Sequence, residues 1–270
     1  MNRSEDRIRV HQDARGVVTL TLNRPERNNA YDEALLAQAH AALDHLALQL
    51  QARVLLIRGE GRHFQAGADL DWLSLLSTLS PEANLEASRL TSTLMRRLNG
   101  LPIPVIALVQ GGCFGGGTGL IASCDVVVAA DNAQFSIAES RWGMVAGIII
   151  PQLNDAMSVR QVRRYALTGE RFDAQEARRI GLVHEVVPLG ELASTGERIV
   201  DALLRNGPQA TRLTKATTLR SCWSALGDEE DQRLINEHAL KRQSSEAAEG
   251  LSSFREKREA AWYPGRPPPH

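Results

Sequence analysis

The apolar positions of the chain follow two different periods. Apolar and polar residues alternate in Val17–Leu22, which predicts a strand, and the apolar run within Arg53–Arg58 predicts a buried strand. Between them, leucine and alanine recur at spacings of three and four, which predicts an amphipathic helix over Asp32–Gln51. Strand and helix alternate again through Val105–Ala130. This order favours an α/β core over an all-α or all-β fold.

Later signals are mainly helical. Ser80-Pro81-Glu82 predicts a helix start with a cap and a proline in the first turn, and Asp173–Glu176 fits a capping box. Gly181–Pro188 predicts one more short strand, and several helical segments follow Glu191. We therefore divide the chain into an α/β core, 1–200, and a C-terminal helical region, 201–270, whose proline-rich end, Gly265–His270, is predicted to be disordered.

Six of the nine residues in Gly111–Gly119 are glycines, between an apolar run and a segment that can continue as a helix. This layout points backbone N–H groups at a ligand. Phosphate-binding motifs do not fit, because Gly117 follows Gly116 where a Walker A loop needs lysine, and Leu120 replaces the third glycine of a dinucleotide-binding loop. Two interpretations remain, an oxyanion hole or a packed glycine turn without a ligand.

A second glycine loop, His63–Leu70, lies between a predicted strand and a helical segment. The side chains of Ala66–Ala68 are small, so a ligand can approach this backbone closely. Asp69 can be a catalytic acid or the cap of the next helix, and capping is the favoured interpretation. Two loops that follow adjacent strands can each donate one N–H to a single oxygen, which is what a thioester enolate requires.

Composition and charge narrow the choice of partners. The formal net charge is −1 with scattered basic residues, so neither nucleic acid nor an anionic membrane is a predicted partner. The three cysteines, Cys113, Cys124 and Cys222, have no metal-ligand spacing, and no metal site is predicted. His63 and His184 are expected to be structural. Without a signal-peptide pattern or an apolar run of membrane-spanning length, we expect a cytoplasmic protein.

Several segments occur in an order that is typical of one family. They are Asn23–Ala30, Phe64–Leu70, Val109–Gly119, Phe135–Glu139, Leu167–Ala174 and Gly181–Pro188. From about Val17 to Trp262 the chain resembles the crotonase (enoyl-CoA hydratase/isomerase) superfamily. The resemblance implies a crotonase (ClpP-like) α/β spiral of ββα units, a C-terminal helical trimerisation region, and a homotrimer or a dimer of trimers.

The resemblance also implies roles for individual residues. The substrate would be an acyl-CoA thioester, with no separate cofactor because coenzyme A is part of the substrate. The backbone N–H groups of Ala68 and Gly116 would hold the thioester oxygen, and Glu139, expected at the end of a strand, would be the acid–base group. Residues implied to contact substrate or CoA are Arg24, Arg27, Ala30, Ala66, Gly67, Asp69, Leu70, Trp72, Gly115, Arg141 and Lys257. The CoA that Lys257 would reach is that of a neighbouring subunit.

One position departs from the pattern. Short-chain enoyl-CoA hydratases carry two glutamates, and here Glu139 matches one while Gly119 stands at the other. Hydration needs a water directed at Cβ and a proton delivered to Cα. Glu139 can serve both steps in sequence, or another polar group holds the water. The alternatives to a hydratase are an isomerase, which needs only one proton shuttle, and an acyl-CoA-binding protein without turnover.

Other segments resemble a particular branch of the superfamily. Gly67–Trp72, the helix from Pro81, and Phe114–Asp125 are similar to bacterial hydratases of 3-substituted glutaconyl-CoA thioesters. These include the 3-methylglutaconyl-CoA hydratase of leucine catabolism and the isohexenylglutaconyl-CoA hydratase of acyclic terpene catabolism. Gly119 would then mark the branch, and the altered wall at Val145–Gly147 favours the larger isohexenyl chain. Arg141 would pair with the distal carboxylate, although an ordinary surface ion pair is the commoner role.

Overall fold

Two β-sheets organise the computed structural model, which describes residues 6–48, 51–221 and 228–265. The strands in these ranges are β1 (Ile8–Gln12), β2 (Val17–Leu22), β3 (Val54–Gly59), β4 (Val105–Val109), β5 (Gly112–Phe114), β6 (Val126–Ala130), β7 (Gln134–Ser136), β8 (Phe172–Asp173) and β9 (Glu185–Val187). The larger sheet has the order β1-β2-β3-β4-β6-β9, and the smaller one has the order β5-β7-β8. In the larger sheet β1 pairs antiparallel with β2, and the other neighbours pair in parallel.

Helices connect the strands and then continue alone to the end of the described chain. The α-helices are α1 (Glu33–Leu48), α2 (Leu70–Leu76), α3 (Pro81–Asn99), α4 (Gly116–Ala122), α5 (Ile150–Met157), α6 (Val159–Thr168), α7 (Ala174–Arg179), α8 (Leu192–Leu204), α9 (Pro208–Ser221), α10 (Asp228–Arg242) and α11 (Ser245–Glu256). Short 3₁₀ helices lie at Pro25–Arg27, Glu139–Trp142 and Leu189–Glu191. None of the helices in the described ranges is long and apolar enough to cross a membrane.

Successive side chains of a strand point to opposite faces of the sheet. In the larger sheet both faces carry apolar side chains. On one face, Val18 and Leu55 belong to a core shared with the buried leucines of α1 and α3. On the other face, Val17 and Val54 pack in a second cluster with α8. Burial on both faces is characteristic of parallel sheets, whose strands form nearly continuous apolar runs.

Several sequence predictions are confirmed. Strand β2 has the predicted bounds, β4 begins at Val105, where the second alternating region was predicted to start, and α3 begins at Pro81 with the Ser80 side chain accepting from the Ala83 N–H. The Asp173 carboxylate likewise caps α7 by accepting from the Glu176 N–H. Helix α1 begins at Glu33, one residue after the predicted start, and positions 49 and 50 of its predicted C-terminal end lie outside the described residues.

Four features differ from the prediction. The edge strand β1 has no counterpart in it, and β9 covers only part of Gly181–Pro188. The glycine stretch is not a simple turn, because β5 forms within it and pairs with β7 through Cys113 and Phe135. Glu139 does not end a strand as expected; it starts a 3₁₀ helix beyond β7.

The C-terminal helices are held on the core by polar contacts. The Lys215 ammonium of α9 donates to the Asp125 carboxylate at 2.7 Å and to the Ile103 carbonyl at 3.1 Å. The Arg53 guanidinium donates to the backbone carbonyls of Trp262, Leu204 and Asn206. These contacts tie the region after position 201 to β3 and β4. Of the tail that was predicted to be disordered, residues 266–270 lie outside the described residues.

Candidate active site

The segment between β2 and α1 is held against the His63 loop by a buried asparagine. The Asn29 amide donates to the carbonyls of Glu60 and His63 at 2.9 and 2.8 Å, and its oxygen accepts from the Arg24 N–H. Asn29 has a left-handed backbone, at φ 58°, which asparagine tolerates better than most residues. Tyr31 then pairs with the loop, because its N–H donates to the Gly67 carbonyl and its carbonyl accepts from the Asp69 N–H.

The two glycine loops meet at the start of α4. The Phe114 N–H donates to the Gln65 carbonyl at 2.9 Å, which joins the loops side by side. A Cβ atom at position 67 would lie 3.8 Å from the Gly116 nitrogen, so the loops are in close contact there. Within the described residues, the N–H groups of Ala68 and Gly116 donate to no other group. Both are therefore available to a ligand oxygen.

The Glu139 carboxylate lies beside this junction. A Cβ atom at position 115 would lie 2.9 Å from Glu139 Oε1. Glu139 Oε2 is buried and has no hydrogen-bond partner among the described residues. Burial raises the pKa of the Glu139 carboxyl above its ordinary value. A buried carboxyl with a raised pKa and a free oxygen is suited to proton transfer.

Gly115 allows Glu139 to come this close. Its backbone is left-handed, at φ 49°, and its N–H donates to the Ser136 carbonyl at 2.8 Å. Any side chain at this position would be strained by the backbone and would meet the Glu139 carboxylate. The glycine thus places the end of β5, the start of α4 and the acid–base candidate in contact.

Gly119 packs against a side chain from the following part of the fold. A Cβ atom at position 119 would lie 2.2 Å from Ile149 Cγ2 and 2.5 Å from Ile149 Cβ. Ile149 is fully buried just before α5. The space that a side chain at position 119 would enter is therefore filled by a branched apolar group, and the wall of the site is apolar there.

Tyr31 forms another wall of the same junction. A Cβ atom at position 116 would lie 2.6 Å from Tyr31 Cε1 and 2.7 Å from the Tyr31 hydroxyl oxygen. The ring meets Trp72 edge to face, with centroids 6.0 Å apart. Burial, with a smaller contribution from the charge of Glu139, raises the pKa of the Tyr31 hydroxyl. The hydroxyl is therefore neutral at any working pH.

Asp69 has a clear structural role. Its carboxylate caps α2 by accepting from the N–H groups of Asp71 and Trp72, as the sequence predicts, and pairs with the Arg24 guanidinium at 2.7 Å. Burial alone would raise the pKa of Asp69, but hydrogen bonds from the Trp72 N–H and from Arg24 hold it below its ordinary value. Arg24 also donates to the Ala30 carbonyl. Both charged groups are thus engaged within the fold.

The remaining predicted contact residues are spread around the junction. Arg27 pairs with Asp71 at 3.0 Å on the surface, and Leu70 is exposed at the start of α2. Trp72 is half-buried and reaches the junction through Tyr31. Arg141 is exposed, and a Cβ atom at position 169 would lie 2.9 Å from its Nε. Arg141 forms no ion pair with another residue in the described part of the chain, so the expected surface ion pair is not found there.

Lys257 is not brought to the junction by any described contact. It ends α11 in a left-handed conformation, and its N–H donates to the Phe254 carbonyl. Lys257 is exposed. Ala66, by contrast, is half-buried inside the first loop, where its N–H donates to the Asn28 carbonyl at 3.0 Å.

His63 and His184 have structural roles, as predicted, because each accepts a hydrogen bond from a backbone N–H group. His63 Nδ1 accepts from the Gly112 N–H at 2.8 Å, and His184 Nδ1 accepts from the Val127 N–H at 3.1 Å. Cys113 is fully buried, and burial raises its thiol pKa. No group of three or more His, Cys, Asp or Glu side chains that could hold a metal ion occurs among residues 6–48, 51–221 and 228–265.

An open cleft adjoins the junction between α1 and α2. It has a volume of about 580 Å³, and its lining residues are Arg24, Arg27, Asp32, Glu33, Ala34, Ala37, Asp69, Asp71, Trp72 and Leu75. This volume falls within the range of small-molecule sites. A larger cleft, of about 1020 Å³, runs along β1 and includes neither Glu139 nor the glycine loops. Size alone therefore does not mark the active site.

Two residues of this junction are absent from the sequence predictions. Tyr31 directly follows Asn23–Ala30, the first of the family-typical segments, and an aromatic residue next to small ones is the signal that could have drawn attention to it. Ile149 lies in an apolar run whose contact with Gly119 has no local signature.

Known proteins are similar to this chain in sequence and in fold. Residues 12–264 match the Enoyl-CoA hydratase/isomerase family. The chain is 32% identical to a putative enoyl-CoA hydratase of Thermus thermophilus over 90% of this chain and 95% of the relative. It is 33% identical to the mevalonyl-coenzyme A hydratase sidH of Aspergillus fumigatus, over 93% and 92% of the two chains. An enoyl-CoA hydratase structure from Shewanella pealeana superposes with a TM-score of 0.91 at 33% identity, covering 96% of this chain and 97% of that one. The fold is therefore the expected crotonase fold.

Proposed function

The chain belongs to the enoyl-CoA hydratase/isomerase family, and on that premise we propose that it adds water across the double bond of a 3-substituted glutaconyl-CoA thioester. The observation that carries the proposal is the buried Glu139 carboxylate, whose Oε2 has no described partner, beside two free backbone donors. Two of its relatives are themselves named hydratases.

The proposed reaction proceeds through a thioester enolate. Glu139 takes a proton from water while the water oxygen forms a bond to Cβ and the double-bond electrons move to the thioester oxygen. The N–H groups of Ala68 and Gly116 hold that oxygen, and each such donor is typically worth about 3–4 kcal/mol of barrier. Glu139 then returns the proton to Cα, so that water is added without another proton carrier.

We assign the substituent of the acyl chain from the side chains that follow the 3₁₀ helix at Glu139–Trp142. Met144, Val145 and Ile148 present apolar surface after the 3₁₀ helix, and Ile149 fills the space beside Gly119. These residues suit a branched apolar substituent at C3, such as isohexenyl in terpene catabolism or methyl in leucine catabolism. Arg141 is the group we assign to the distal carboxylate, because guanidinium binds carboxylate in a fixed geometry. The cleft between α1 and α2 is assigned to part of the CoA moiety.

Incubation with 3-methylglutaconyl-CoA, isohexenylglutaconyl-CoA and crotonyl-CoA, with identification of each product, tests the proposal. We expect hydroxyacyl-CoA products, with kcat/KM for a glutaconyl thioester at least about tenfold above that for crotonyl-CoA, since a charge-assisted contact is worth about 1.5–3 kcal/mol. Arg141→Gln is the matched variant, and it should remove this preference without slowing crotonyl-CoA turnover. A shifted double bond would instead identify an isomerase, and unchanged thioester a binding protein.

We further propose that the chain forms a homotrimer or a dimer of trimers. Apolar side chains are exposed on the last two helices, namely Ile235 and Leu240 on α10 and Leu251 and Phe254 on α11. Exposed apolar patches of this kind mark protein interfaces. Sedimentation equilibrium is expected to give three or six times the chain mass, and Phe254→Asp to lower it. A monomer at micromolar concentration would exclude the assembly and the reach of Lys257 to a neighbouring CoA.

A further inference from the structure

Two polar groups lie on either side of the glycine pair that starts α4. Glu139 Oε1 lies 2.9 Å from where a Cβ atom of residue 115 would be, and the Tyr31 hydroxyl oxygen lies 2.7 Å from the corresponding point at residue 116. The Gly116 nitrogen lies in the peptide between these two residues. The hydroxyl and the carboxylate therefore lie close to the same backbone donor.

Both groups are buried and available. Tyr31 is 8% exposed, and its hydroxyl makes no hydrogen bond to a described residue. Glu139 Oε2 is fully buried and has no partner among the described residues. A buried carboxylate oxygen in a folded protein nearly always has a partner, so Oε2 beside the unbonded Tyr31 hydroxyl points to a small polar species that bonds to both.

Other polar side chains at the junction are already engaged. Thr118 Oγ1 donates to the Gly115 carbonyl, and Ser136 Oγ donates to the Gly169 carbonyl. Gln65 Oε1 accepts from the Gly67 N–H. Beside Gly119 the wall is the apolar side chain of Ile149. Of the three hydroxyl groups at the junction, that of Tyr31 is the one without a hydrogen bond to a described residue.

We infer that the Tyr31 hydroxyl is the second group that holds the attacking water, in the role that a carboxylate at position 119 would otherwise serve. The inference rests on the proposed hydration. One O–H group of the water donates to Glu139 Oε2, and its proton is transferred there as the water oxygen attacks Cβ. The other O–H group donates to the Tyr31 oxygen, and its proton stays on the water oxygen and becomes the hydroxyl proton of the product.

The neutral state of Tyr31 agrees with this role. Burial and the nearby Glu139 charge raise the pKa of its hydroxyl, so the phenol does not ionise and does not compete with Glu139 as a base. It accepts a hydrogen bond through an oxygen lone pair and orients the water. Removing the hydroxyl should therefore affect the addition of water and leave proton transfer at Cα intact.

Tyr31→Phe tests this separation in two assays. The first is hydration of the glutaconyl thioester that the wild-type protein prefers. The second is exchange of the Cα proton of saturated 3-methylglutaryl-CoA in D₂O, which needs Glu139 and the backbone donors but no attacking water. We expect kcat for hydration to fall about 10–100-fold, because a misplaced reactant typically costs up to about 100-fold, and exchange to change by less than about threefold. The retained exchange also shows that the variant is folded.

The control is Gln152→Leu, since Gln152 Oε1 is another buried oxygen without a partner among the described residues. It should leave the ratio of hydration to exchange unchanged. Unchanged hydration in Tyr31→Phe, an equal fall of both rates, or a selective loss in Gln152→Leu would overturn the inference. A wild-type protein that exchanges the Cα proton but hydrates none of the thioesters would overturn the proposed function, and the role of Tyr31 with it.

Discussion

Replacing Glu139 by glutamine is expected to lower kcat for hydration by about 10²–10⁴-fold, the usual contribution of a positioned acid–base group. Glutamine keeps the shape of the side chain beside Gly115 but cannot accept and return a proton. KM should change little, because the backbone donors of Ala68 and Gly116 remain. The measurement is steady-state hydration together with Cα proton exchange, and both should be lost.

The pH dependence of the wild-type protein follows from the same carboxyl. Its pKa is raised by burial above the ordinary value of 4.5, and the base must be ionised to act. The acidic limb of kcat/KM should therefore lie above pH 4.5, and Glu139→Gln should abolish it. A wild-type limb at or below the ordinary value would contradict the burial of this carboxyl.

Stability should change in the opposite direction to activity. Between the ordinary and the raised pKa the folded protein binds more protons than the unfolded chain, so stability falls as pH rises through this window. At neutral pH the ionised Glu139 destabilises the fold, and neutral glutamine removes that cost. We expect Glu139→Gln to have a higher Tm at pH 7 and a smaller advantage at acidic pH. Glu185→Gln, which removes an exposed carboxylate paired with Arg198, is the control and should leave kcat unchanged.

Local patterns predict the central strands and helix starts because those elements are determined by neighbouring residues. Val105–Val109 is a continuous apolar run that forms a buried parallel strand, and Ser80 and Asp173 cap helices within three residues of themselves. By contrast, β1 is an edge strand that mixes isoleucine and valine with arginine and histidine, so its sequence lacks a clear core face. The pairing of β1 with β2 decides its conformation.

The active-site junction could be predicted only in part, for a different physical reason. The two glycine loops have small residues that indicate close backbone approach, and both do meet at Gly67 and Gly116. The positions of Tyr31 and Ile149 depend on contacts between segments that are far apart in the chain. Such contacts leave no periodic pattern, and a free hydroxyl is recognised only after the partners of its neighbours are known.

Introducing the missing carboxylate tests how Gly119 and Ile149 depend on each other. Gly119→Glu should destabilise the fold by about 3 kcal/mol or more, because its Cβ would lie 2.2 Å from Ile149 Cγ2 and its charge would be buried without a partner. Ile149→Ala alone should cost about 2–5 kcal/mol through the cavity it leaves. Urea unfolding gives the free energy of unfolding for each variant.

The double variant, Gly119→Glu with Ile149→Ala, is expected to be more stable than the sum of the two losses predicts, by about 0.5–3 kcal/mol, because the shortened residue makes room for the new side chain. Gly119→Ala separates the steric effect from the charge, since it adds the clashing Cβ without a carboxylate. With two carboxylates at the site, the double variant should also hydrate crotonyl-CoA at least about tenfold faster than Gly119→Glu alone, and should depend less on Tyr31. Strictly additive losses would mean that Ile149 does not occupy the position of the absent side chain.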